Sequence, residues 1–174
     1  MPLLQGSYFA NSLILICEHN ADGALGLVIN KPSSVNLDEL MTELELPSPA
    51  QLRPWEINVH DGGPVARDRG FVLHTGKYTT HESQEVCRGL YLAGARETLA
   101  VVVANAQDNE FIFLLGYAGW DAGQLEAEIH DNSWLTCGAT PEVVFEHTAD
   151  QRIQAAIDQL GFDYRLLTTE AGHA

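Results

Sequence analysis

The chain is short of positive charge. Its 174 residues carry 9 Lys and Arg against 24 Asp and Glu, a formal net charge of -15. A surface this acidic repels phosphate backbones and anionic lipids at long range, and no Lys/Arg cluster stands ready to offset it. Neither direct nucleic-acid binding nor membrane binding is expected. Cysteine is scarce as well. Cys17, Cys87 and Cys137 are odd in number and far apart, which reads as reduced thiols and not as a disulfide scaffold. Long apolar runs are missing. Leu13 to Cys17 is too short for a signal core or a membrane span, and no basic segment precedes it. The expectation is a soluble, cytoplasmic protein.

Several chemical signatures are lacking too. Gly76-Lys77 has Phe71 where a phosphate loop needs a second glycine, and Tyr78 where it needs a hydroxyl for magnesium. No Gly-x-Ser-x-Gly elbow supplies a hydrolase nucleophile. No HExxH or CxxC pair gives the tight spacing of a metal site. No metal and no cofactor are expected.

What remains is enough for one domain. Hydrophobic residues make up 45% of the chain, which supports a core within the usual single-domain length. Leu13 to Cys17 and Gly23 to Asn30 are apolar runs around a turn of Asn, Asp and Gly, the pattern of a buried hairpin. Asn36-Leu-Asp-Glu39 opens a helix as a capping box, with Leu37, Leu40, Met41 and Leu44 as its stripe, and Pro47 and Pro49 end it. Ile57 to Val59, Gly70 to His74, Leu90 to Ala93, Phe111 to Tyr117 and Trp134 to Cys137 read as strands. His60 to Pro64 is a glycine-dependent turn. Thr75 to Glu85 is polar and reads as a loop or hairpin. Glu97 to Gln107 has helical length and spacing. Asp121-Ala-Gly-Gln124 starts a second capped helix, with Trp120 placed to staple Leu125, and Thr148-Ala-Asp-Gln151 starts the last. Gly161 closes it. The core spans about 8–161, and the tail 168–174 is expected to fray. Interspersed strands and helices without strict alternation favour a single α+β domain over a doubly wound sheet.

Five ordered blocks carry a family resemblance: Cys17-Glu-His-Asn20, Gly26-Leu-Val-Ile-Asn-Lys-Pro32, Gly62-Gly-Pro-Val65, Gly70-Phe-Val-Leu-His74 and Gly116-Tyr-Ala-Gly-Trp-Asp-Ala-Gly-Gln-Leu-Glu126. The chain resembles the AlgH/YqgE family of bacterial proteins from about Tyr8 to Gly161. The resemblance implies an α+β domain with a mixed, bent sheet forming a pseudo-barrel with flanking helices. The family label points to transcriptional control of alginate production. The resemblance brings no catalytic residues with it.

The candidate functional residues sit at element ends. His19, Asn30, Asp61, His74 and Gln124 could line a polar cleft, since strand and helix ends often build such sites. Each also has a local use: Asp61 and Asn30 can bond their own turns, His74 a backbone carbonyl, and Gln124 its capping box. Gln124 and Glu128 share a helix face, and Glu128 is expected to be solvated. His19, His60, Asp61 and His74 are the residues a metal would draw on. Cys17 is the candidate reactive thiol, because His19 would face the same side of the strand; the favoured reading is that it ends a buried strand as a small hydrophobe. The expected function is non-enzymatic: a protein acting through an unidentified protein partner, as an accessory regulator whose effect on transcription is indirect. The alternative is a small-molecule sensor or enzyme using the polar cleft.

Overall fold

A computed structural model describes residues 7–43, 59–76, 83–94, 98, 100–102, 105 and 110–161. Its organising element is the long apolar strand near the C-terminal third. Among the described residues seven strands are present: β1 (Ile14–Asn20), β2 (Gly23–Val28), β3 (Val59–Asp61), β4 (Val65–Thr75), β5 (Gln84–Cys87), β6 (Leu90–Gly94) and β7 (Phe111–Asp121). The helices include α1 (Leu37–Glu43), α2 (Gln124–His130), α3 (Pro141–Phe145) and α4 (Arg152–Asp158). The sheet order is β1-β2-β7-β4-β6-β5, and β3 lies parallel beside β7 while every other pairing is antiparallel. β1 and β5, at the two ends of this order, come into contact. The sheet is therefore nearly closed, and mixed as expected.

β7 serves two partners in succession along one edge. It pairs β3 from Phe113 to Leu115 and β2 from Ala118 to Asp121. Gly116, at φ 73°, is the pivot between them. A Cβ there would run into the carbonyl oxygens of Gly63 and Val65, so this crossing needs both the left-handed backbone and the missing side chain.

Period-two alternation sorts the side chains into layers. Leu15 and Cys17 of β1, Leu27 of β2, Phe71 and Leu73 of β4, Leu90 of β6, and Ile112 and Leu114 of β7 fill the barrel, closed by Val144 of α3. The opposite face carries Val72 and Phe113, covered by Leu40 and Met41 of α1 and by Val102. A third cluster joins Trp120 and Ala118 to Leu125, with Phe9, Ile14 and Trp134 against it. Trp120 does meet Leu125, as the staple pattern requires.

Some expectations need correction. Trp134 to Cys137 is irregular and not a strand, because it has no strand to pair with and turns its apolar residues to a cleft. β4 starts at Val65, earlier than Gly70, through a bulge at Ala66 (φ 45°) that separates the pairs Val65↔Tyr117 and Gly70↔Leu115. β5 begins at the end of the segment read as a loop or hairpin and forms a hairpin with β6, and β7 continues past Tyr117. α3 was not expected, although Thr140 caps it by accepting from Val143 N at 3.4 Å and Pro141 opens it. Thr98, Ala100, Val101 and Val102 are helical, as read. Leu44, Ile57, the 48–54 loop and the tail 168–174 lie outside the described residues.

Candidate functional site

β7 works as a ruler for the five candidate residues. His74 pairs with Phe111, Asp61 pairs with Leu115, and Ala24 pairs with Trp120, with His19 opposite Ala24 on β1. From Phe111 to Trp120 is nine residues, about 30 Å of extended strand. Asn30 lies beyond the Ile14↔Val28 pair, and His19 sits opposite Ala24 at the far end of the same hairpin, about 20 Å away by the same rise per residue. The candidates therefore occupy three places.

Asn30 and Asp61 share the first. Asn30 Oδ1 accepts from Leu13 N at 2.7 Å and its Nδ2 donates to Asn11 O at 2.9 Å. One amide side chain thus ties the segment before β1 to the end of β2. Asp61 accepts from Arg67 at 2.9 Å, and its N–H donates to Lys31 O at 2.8 Å. Lys31 donates to Tyr8 O and lies 4.5 Å from the centre of the Tyr8 ring. Burial first, then the Asp61 carboxylate, raise the Tyr8 hydroxyl above its ordinary value. Burial lowers Lys31, while Asp61 opposes that shift.

His19 and Gln124 share the second. His19 Nε2 donates to Glu126 Oε1 at 2.7 Å, and both side chains are exposed. Gln124 Oε1 accepts from Asp121 N at 3.0 Å, but the expected capping box is not formed: Gly123, in the left-handed region, is the N-cap with no side-chain cap bond, and Gln124 is the first residue of the helix, because Asp121 still belongs to β7. Its Nε2 donates to Glu128 Oε1 at 2.8 Å. Glu128 is not a solvated residue. Its Oε2 accepts from both indoles, Trp120 Nε1 at 2.9 Å and Trp134 Nε1 at 2.7 Å. Burial pushes this carboxyl up, but the donors Trp134, Gln124 and Trp120 outweigh it and hold the group below the usual carboxylate range. The two rings sit edge to face at 6.1 Å with Phe9 against both.

His74 stands alone in the third place, fully buried. Nδ1–H donates to Thr75 O at 3.0 Å, Nε2 accepts from the Ser83 hydroxyl at 3.1 Å, and Tyr91 stacks on the ring. Burial lowers its pKa. Cys17 faces the barrel interior beside Leu15, with Sγ donating to Leu15 O at 3.5 Å. Burial, and secondarily Cys87, push its thiol up to about 12, so almost no thiolate exists at neutral pH. The small-hydrophobe reading fits this geometry, and the reactive reading does not.

Sequence reasoning passed over Arg152. The side chain is 5% exposed, and no carboxylate among the described residues pairs with it. It donates to Ile29 O and to His60 Nε2, the latter at 3.0 Å. Burial lowers its pKa. It is a pin from α4 into the sheet, spanning 123 residues of sequence, and no local pattern could announce it. His19, His60, Asp61 and His74 do not converge, and no group of three metal-ligating side chains gathers among the described residues. No helix among them is long and apolar enough to cross a membrane.

The comparisons with known proteins agree with this architecture. Residues 1–165 match the AlgH-like family. A UPF0301 protein of Pseudomonas syringae pv. tomato is 43% identical over 174 residues, all of this chain and 92% of the relative. A UPF0301 protein of Pseudoalteromonas translucida is 40% identical, over all of this chain and 94% of its own length. The solution structure of the AlgH protein from Pseudomonas aeruginosa superposes with a TM-score of 0.78 at 41% identity, covering 100% of this chain and 92% of that one. A crystal structure from Corynebacterium diphtheriae, 21% identical with a TM-score of 0.59 over 75% of this chain and 68% of that one, shares the fold. This chain belongs to the AlgH-like family of UPF0301 proteins.

Proposed function

We propose that the protein is a non-enzymatic, cytoplasmic binding protein that acts through a protein partner, and that any effect on transcription is indirect. The observation that carries this reading is the dispersal of the polar candidates. His19 and Gln124, Asn30 and Asp61, and His74 lie in three places, each bonded to its own surroundings. A reaction centre needs its groups within hydrogen-bond reach of one substrate. The net charge of -15 supports the indirect route, since it opposes approach to DNA.

Native mass spectrometry of the protein recovered from its own cytosol, followed by reciprocal capture, tests the reading. The expected result is a stoichiometric protein partner and no mobility shift with DNA at physiological salt. Tight, sequence-specific DNA binding by the purified protein overturns it. So does a purified protein that recovers no partner and turns over a small substrate.

A further inference from the structure

The two ends of the sheet order meet without a ladder. Among the described residues β1 pairs only with β2, and β5 only with β6, yet β1 and β5 pack against each other. Side chains, not backbone hydrogen bonds, close this seam. Each of the two strands carries one cysteine, Cys17 on β1 and Cys87 on β5. Both reach the same barrel core: Cys17 is a buried member of it, and Cys87 packs against it from a half-buried position. The two thiols also sense each other, since Cys87 follows burial as the second cause of the rise in Cys17. Both ladders slip at these residues. The β1–β2 register shifts between Ile16 and Glu18, which leaves Cys17 out of the pairing, and the β5–β6 register shifts between Glu85 and Cys87. A bulge frees the local backbone from the ladder, so the two strands can adjust there without breaking the sheet. Cys137 is exposed on the irregular 134–140 segment and is no part of this core.

We infer that Cys17 and Cys87 are a redox pair, oxidised by a low-molecular-weight disulfide to an intrachain bridge that staples β1 to β5 and locks the seam. The half-buried Cys87 reacts first. Its thiolate attacks one sulfur of the small disulfide, the S–S bond there breaks, and one small thiol leaves with the proton that Cys87 gave up. Cys17 then attacks the Cys87 sulfur of the mixed disulfide, and the second small thiol leaves with the Cys17 proton. Two electrons pass from the protein sulfurs to the small disulfide, which ends as two small thiols. Cys17 takes no part in the first attack, in keeping with its burial; its own step is intramolecular, and the scarcity of its thiolate makes that step slow. A reducing compartment holds the pair as two thiols, and an oxidising shift closes it. The bridge encloses a loop of about 70 residues, long enough for a marked gain in stability by the chain-entropy account. The inference does not depend on the partner reading.

The test uses the folded, fully reduced Cys137→Ser chain, which keeps both seam cysteines. It is brought to equilibrium in graded mixtures of 2-hydroxyethyl disulfide and 2-mercaptoethanol, both small and uncharged. Acid quenching, alkylation of remaining thiols and peptide mass mapping then read the products. The expected result is an intact chain lighter by two hydrogens, a Cys17–Cys87 linked peptide pair, and a higher urea midpoint for the oxidised form than for the reduced one. Adding Cys17→Ala is expected to halt the reaction at the mixed disulfide on Cys87. Four results overturn the inference. One is both cysteines still reduced in the most oxidising mixture. Another is Cys87 resting as the mixed disulfide while Cys17 stays a thiol. A third is a linked pair that forms only after urea has unfolded the chain. The last is a bridged form whose urea midpoint is no higher than that of the reduced protein.

Discussion

Replacing Glu128 by leucine removes the acceptor that holds three donors at once. The structure sets the magnitude. Trp120 Nε1, Trp134 Nε1 and Gln124 Nε2 all lie within 2.9 Å of its carboxylate. A hydrogen bond to a buried charged group contributes about 1.5–3 kcal/mol, and partial exposure brings each of these to about 1 kcal/mol. Glu128→Leu is therefore expected to cost about 3 kcal/mol at pH 7, and Glu128→Gln, whose one carbonyl oxygen can still serve the indoles, about half that. The pH dependence has a definite sign. The folded carboxyl is held below its ordinary value of 4.5, so its contribution is complete above the unfolded pKa and is lost as pH falls through the folded one. Urea unfolding followed by tryptophan emission, from pH 7 down to pH 3, measures both effects. The gap between wild type and Glu128→Leu should be full at pH 7 and shrink below about 4.5. A leucine variant as stable as wild type at pH 7, or a gap constant across the range, refutes the clamp.

Other perturbations are equally direct. His74→Leu should flatten the stability profile below about pH 6.5. The buried imidazole has a lowered pKa, so the wild type is fully stabilised above the unfolded value and loses stability as pH falls below it; an unchanged slope in urea melts at pH 8 and 5.5 contradicts this. Gly116→Ala should cost at least about 2 kcal/mol, combining a left-handed backbone with overlap on the Gly63 and Val65 carbonyls, and thermal melts by circular dichroism read it. In native thiol labelling, exposed Cys137 should react well before Cys17; Cys17 labelling as fast as free cysteine at pH 7 contradicts the buried-thiol assignment. Gln124→Ala should lose about 0.5–1.5 kcal/mol through the broken reach to Asp121 N, seen in the same urea assay.

The legible parts of the fold were those whose burial is written in local pattern. The β1–β2 hairpin and the first half of β7 are continuous apolar runs because both faces are covered. The contact of Gln124 with Asp121 N could be read because the two are three residues apart, although the helix itself starts two residues later than the pattern implied, at a Gly123 N-cap. The first half of β4 could not, since Val65 to Arg69 is exposed and charged and gains its strand geometry only by pairing Val65 with Tyr117. Trp134 to Cys137 misled because apolar residues facing a cleft look like apolar residues in a strand. The same limit governed the site. Residue types showed which side chains can bond, and local spacing foretold the Gln124 contact. Glu128 between two indoles, and Arg152 on Ile29, depend on distances no sequence window spans. The apolar hollow walled by β1, Ile29, Trp120, α2, the 134–140 segment, α3 and α4 was illegible for the same reason.

A double-mutant cycle between Asn30→Ala and Gln124→Ala, measured by urea unfolding, is the most direct test of the claim that the polar residues at element ends serve separate local structures. Sites that share no partners are additive to within about 0.5 kcal/mol, and the account predicts additivity here. A coupling above about 1 kcal/mol would place the two residues in one network and contradict it.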